Sequence, residues 1–98
     1  MKWDIRTCAE GFKAVKLSGN TAYLRRACQW PPDAPDRGPA YDVNYKGCVI
    51  AVISFEGKGA RVNTMKACRC FPEISDLDLA EMALRLVRFR KAAADALN

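Results

Sequence analysis

The sequence predicts an α+β domain, and three observations carry that expectation. Ser75 to Asn98 has helical periodicity and a capped start. Val43 to Phe71 holds two strand-like runs around Gly57-Lys58-Gly59. Thr7-Cys8-Ala9-Glu10 has the form of a capping box ahead of Phe12 and Val15. The expected order is helix, three antiparallel strands, helix (αβββα). The long C-terminal helix should pack on one sheet face, because that buries the apolar side of both elements.

Met1 to Arg6 is short and mixed, and suits a small edge strand or a tail. Cys8 to Leu17 reads as a short helix, with Cys8, Phe12 and Val15 at helical spacing and Ser18-Gly19-Asn20 as its stop. Gly11 weakens that reading. The competing one is a strand over Phe12 to Leu17, turned by Ser18-Gly19-Asn20 into the next strand. The capping signal favours the helix. Thr21 to Trp30 alternates like a strand.

Residues 31–40 hold four of the five prolines. Such a loop is stiff, which lowers the entropy cost of presenting Pro35 and Arg37 to a partner; it also serves as a plain connection. Val43 to Glu56 reads as the central strand, apolar from Cys48 to Ile53. Gly57-Lys58-Gly59 reverses the chain, and Ala60 to Phe71 returns as its partner strand. Pro72 ends that strand.

The final helix spans 75–97. Ser75 is its N-cap, with Asp78 in the capping-box slot. Leu79, Met82, Ala83, Leu86, Phe89, Ala93 and Leu97 make its apolar face. Arg85, Arg88 and Lys91 form a basic stripe. Leu77 and Leu84 lie on the polar side, which packing on one sheet does not explain.

Composition narrows the function. Ninety-eight residues, half of them hydrophobic, suffice for one domain spanning 1–98 with its own core. The N-terminus has no apolar signal core, and no run is long enough to span a bilayer, so a cytoplasmic protein is expected. Five cysteines without a secretory signal read as reduced thiols. There is no histidine, which excludes Ser-His and Cys-His nucleophile pairs and histidine metal sites. On a strand, Cys68 and Cys70 would share a face and supply half of a zinc-thiolate site, but no paired Cys-x-x-Cys accompanies them. No metal, cofactor or catalytic residue is therefore assigned.

The net charge of +5 suits solubility, an acidic protein partner or nucleic acid. Helix, three strands, helix is also the order of double-stranded RNA-binding domains, and Lys91-Ala92-Ala93-Ala94-Asp95-Ala96-Leu97 resembles the alanine-rich second helix of that family. The family places lysines at the start of this helix. Here Glu73, Asp76 and Asp78 stand there and would repel phosphate. The leading expectation is a non-catalytic protein that binds another protein, an inhibitor or adaptor of the kind carried by phages and mobile elements. Leu77, Leu84, Arg85, Arg88, Lys91, Pro35 and Arg37 are its candidate contact residues. A homodimer through the C-terminal helix is compatible with the same residues. The alternatives are a nucleic-acid-binding domain, then a small zinc-thiolate protein or enzyme.

Overall fold

Six antiparallel strands follow one another in chain order, and one long helix closes the structure. The strands are β1 (Trp3–Cys8), β2 (Gly11–Lys16), β3 (Thr21–Arg26), β4 (Ala40–Tyr45), β5 (Cys48–Glu56) and β6 (Gly59–Thr64). A 3-10 turn (Lys66–Cys70) leads into α1 (Asp76–Leu97). This computed structural model describes residues 3–9, 11–26, 40–57 and 59–97, without the side chains of 56 and 90–97.

The three-stranded αβββα expectation is thus corrected to a six-stranded meander with one C-terminal helix. Cys8 to Leu17 is not a helix. Cys8 ends β1, a turn follows, and Gly11 opens β2 opposite it. The strand alternative fits in kind, but the strand is Gly11–Lys16 and Leu17 lies in the turn that follows. Gly11 has a backbone φ of +148° and lies against β3. A Cβ there would overlap the Leu24 carbonyl oxygen. The Thr7-x-x-Glu10 pattern is therefore a coincidence of composition, and Gly11 marks a close backbone approach.

Val43 to Glu56 is likewise two strands. Lys46 (φ 50°) and Gly47 (φ 82°) form a two-residue reversal between Tyr45 and Cys48. Positive φ at both central residues matches the twist of the flanking strands. The turn at Gly57 is where the sequence places it, with Glu56 paired to Gly59. The return strand stops at Thr64, so Cys68 and Cys70 lie on the 3-10 turn and not on a strand. Residues 27–30 of the expected Thr21–Trp30 strand lie outside the described residues, as does the 31–40 loop except Ala40, which opens β4.

One sheet face carries the core. Ile5, Ala14, Ala22 and Tyr45 lie across it in one row, and Phe12, Leu24, Val43 and Ala51 in the next. The β4–β5 register shifts after Val43, so both Ile50 and Ala51 are buried in the core. Such a bulge bends its strand and increases the local twist. Leu79, Met82, Ala83 and Leu86 of α1 complete this core, as their helical spacing predicts. The helix runs closest to β6, β1 and β5. It therefore meets both edge strands of one sheet, and the sheet curls around it. No helix among the described residues is long and apolar enough to cross a membrane.

Gly11→Ala is expected to cost more than about 1 kcal/mol, because it combines an unfavourable φ with overlap on the Leu24 carbonyl. Urea unfolding measures this, and a loss near zero would place Gly11 in an ordinary strand position.

Candidate partner-binding face of the C-terminal helix

The helix is fixed at its start by a small polar cluster. Ser75 Oγ accepts a hydrogen bond from the Asp78 backbone N–H at 3.1 Å. Asp78 Oδ2 accepts from the Ser75 N–H at 2.9 Å and the Ser75 hydroxyl at 3.1 Å. The capping box expected from the sequence is thus formed, with aspartate in the place of the usual glutamate.

Asp78 is almost fully buried, and the same Oδ2 takes a third hydrogen bond from Lys16 Nζ of β2 at 3.1 Å. Lys16 also donates to the Glu73 carbonyl oxygen at 3.3 Å and lies 5.7 Å from the Trp3 ring centre. Burial alone would raise the Asp78 carboxyl. The Ser75 backbone N–H, Lys16 and the Ser75 hydroxyl outweigh it and hold the group below the usual aspartate range.

Glu73 joins the turn before α1 to the β4–β5 hairpin. Its carboxylate accepts from Tyr45 Oη at 3.1 Å and from Lys46 Nζ at 3.3 Å. Backbone hydrogen bonding, helped by these two donors, holds the carboxyl below its ordinary range against the opposing effect of burial. Burial and the Glu73 carboxylate push the Tyr45 phenol up. Glu73 and Asp78 are thus engaged within the chain, while Asp76 of the same acidic start is exposed.

Further along α1, Arg85 Nη2 donates to the Trp3 carbonyl oxygen of edge strand β1 at 2.9 Å. Arg85 Nε, Trp3 Nε1 and Asp78 Oδ1 are buried without a hydrogen-bond partner. Arg85 therefore belongs to the seam between helix and sheet and not to an open basic stripe. Phe89, at the edge of the core face, packs edge-on against Phe12 with ring centres 5.4 Å apart.

The opposite face of α1 is different. Leu77 is 77% exposed and Leu84 52%. Ala80 and Arg88 are exposed beside them. The four recur at steps of three, four and four, so they form one stripe. Of the candidate contact residues, Leu77, Leu84 and Arg88 are brought together here, and Arg85 is withdrawn. The Lys91 side chain, Pro35 and Arg37 lie outside the described residues. Ala80 was missed by the sequence reading, although its position between the two leucines was a signal.

The thiols are scattered. Cys8, Cys48 and Cys70 are exposed on three separate elements. Cys68 is half-buried, and burial, reinforced by Asp76, pushes its thiol up. A raised thiol is a poor nucleophile at neutral pH. Cys68 lines an open hollow of about 490 Å3 with Met65, Lys66, Arg69, Phe71 and Asp76, where the charges are mixed. Among the described residues, no group of three Cys, Asp or Glu is placed to hold a metal ion.

No family model, curated protein or solved structure significantly matches this chain.

Asp78→Ala should cost about 3 kcal/mol, since it removes the cap and leaves Lys16 half-buried without its partner. The Asp78 carboxyl is depressed in the folded state. Its contribution is therefore full above the unfolded aspartate pKa of about 4 and is lost as pH falls through the lower folded value. Denaturant unfolding from pH 7 down to pH 2 should show this acid-side loss in the wild type. The loss should shrink in Asp78→Ala.

Proposed function

We propose that the chain is a non-catalytic protein of inhibitor or adaptor kind. It acts by binding a protein partner through the solvent face of α1. The observation that carries this reading is the exposure of Leu77 and Leu84 on one line, opposite a core face that is already complete. A single exposed leucine is ordinary, but two leucines and an alanine aligned along a well-anchored helix make a preformed apolar strip. Arg88 at the end of the strip adds a charged rim, which favours orientation more than affinity.

A second reading rests on the outer sheet face. Arg6, Lys13 and Tyr23 are exposed and lie across adjacent strands, with Lys13 Nζ 6.0 Å from the Tyr23 ring centre. A base could stack there with phosphate nearby. Asp4, paired with Arg6 at 3.0 Å, opposes that use, and this reading ranks second. The resemblance to double-stranded RNA-binding domains no longer supports it, because the topology on which it rested is not present.

Leu77→Asp/Leu84→Asp should abolish capture of a nuclease-resistant protein partner while leaving the melting temperature within about a degree or two of wild type. Leu86→Ala, at a buried position, should instead cost about 3 kcal/mol. A steep loss of stability in the double aspartate variant would make the strip part of the core. Salt-sensitive binding of RNA or DNA, lost in Lys13→Glu, would favour the second reading.

A further inference from the structure

We propose that the protein partner docks as an extended segment that adds a strand to the open edge of β6 and lays its alternate side chains on the adjoining flank of α1, an inference that rests on the reading of α1 as a protein-binding surface.

β6 ends the meander, so it is paired on one side only, to β5. The Met65 N–H donates to the Ile50 carbonyl at 2.8 Å, in the register that sets Thr64 opposite Ala51. Hydrogen-bonded and non-bonded pairs alternate along an antiparallel ladder. Gly59, Arg61 and Asn63 therefore turn their N–H and C=O groups toward β5, and Ala60, Val62 and Thr64 turn theirs to the open side. Among the described residues no strand pairs there. The opposite edge of the sheet is different, because Arg85 holds the Trp3 carbonyl of β1. A row of alternating unpaired donors and acceptors is complementary to the backbone of another strand.

A strand laid on that edge meets α1, which runs closest to β6. Directly opposed residues of paired strands share a sheet face. Ala60 and Val62 pack against the core, so the residues opposite them point to the helix side. Arg85 marks the flank of α1 that looks toward β1. At about 3.6 residues per turn, the other flank carries Ala80, Ala83 and Val87, with Leu84 beside them. Ala83 is buried and Val87 half-buried, while Ala80 and Leu84 are exposed. The apolar strip thus continues the core surface past β6, where apolar side chains of an added strand would cover it. At the end of β6 the hollow of about 490 Å3 opens between Thr64 and Met65 on one side and Ser75 and Asp76 on the other, leaving room for the added chain to run on. The open backbone selects a strand as the occupant, and Ala80, Leu84 and Val87 select apolar residues at its inward positions.

Two measurements on the full chain test this. In amide hydrogen exchange, Arg61 and Asn63 should be protected while Ala60, Val62 and Thr64 exchange fast. Equal protection of all of them would mean that the edge is already covered, and would overturn the proposal. A random peptide library displayed on phage and panned on the chain should yield peptides with alternating apolar residues. A synthetic peptide from that set should protect Ala60, Val62 and Thr64, and should bind roughly tenfold more weakly once an edge-facing amide is N-methylated. Val62→Pro removes an outward N–H and should fold yet lose the peptide, whereas Asn63→Pro removes an N–H that β5 uses and should destabilise the sheet. If Val62→Pro is itself unstable, the N-methylated peptide carries the same test. Leu84→Asp should weaken the peptide and melt like the wild type. A library that yields no peptide, or a peptide that binds without protecting β6 or that tolerates N-methylation, overturns the added strand. If a protein is then still captured through Leu77 and Leu84, only the mode of binding falls; if that capture is absent too, the protein-binding reading falls with it.

Discussion

A single carboxylate oxygen, Oδ2 of Asp78, accepts from the Ser75 backbone, the Ser75 hydroxyl and the Lys16 ammonium. The first two start the helix. The third attaches that start to β2. An aspartate with only the capping role would sit in water and contribute about 1 kcal/mol. Here it is buried, and its charge is balanced by a cation from another element, so removing either partner strands the other. That junction sets where α1 begins, and Arg85 sets its angle two turns later by holding the Trp3 carbonyl. Between them, these contacts decide which face of the helix looks outward.

The sheet has to curl for these contacts to exist. In a flat six-stranded meander β1 and β6 would stand five strand spacings apart, roughly 24 Å, and a helix reaching both would have to cross the middle strands; α1 instead runs closest to β6, β1 and β5. Strand twist supplies part of the curl. The rest has local causes. Gly11 lets the start of β2 come against Leu24 of β3, and the register shift at Val43 brings Ile50 inward with Ala51. Ala14 and Ala22 face one another across β2 and β3, where larger side chains would push the helix away. The edges thus reach the same helix, and Arg85 occupies an edge carbonyl that a foreign strand could otherwise use.

The helix was legible because its information is local. Ser75 and Asp78 are three residues apart, and Leu79, Met82 and Leu86 repeat within two turns. The hairpins were less legible for two reasons. Lys46-Gly47 lacks the Asn or Asp that marks such turns, so two strands merged into one. At Thr7 to Glu10 a capping pattern was present without a helix to cap, because Gly11 is governed by a contact with Leu24, thirteen residues away. Local patterns cannot report such contacts. The same holds at the candidate site. Leu77 and Leu84 stood out from periodicity alone, whereas nothing near Arg85 in sequence shows that it reaches the carbonyl of Trp3.

Arg85 and Arg88 show how much the fold adds to a charge pattern. They lie three residues apart and read as one stripe. On the folded helix they turn to different tasks, one half-buried in the seam and one exposed beside Leu84. Only the second can steer a partner. The same reasoning applies to the acids. Asp78 and Glu73 are engaged by Lys16, Tyr45 and Lys46, so the negative charge at the start of α1 is largely answered within the chain. What remains on the open face is an apolar strip with charge at its margin. An uncharged strip of this kind gives up desolvation energy easily and selects its partner by shape first. A charge at the margin such as Arg88 then favours one orientation of a partner over another.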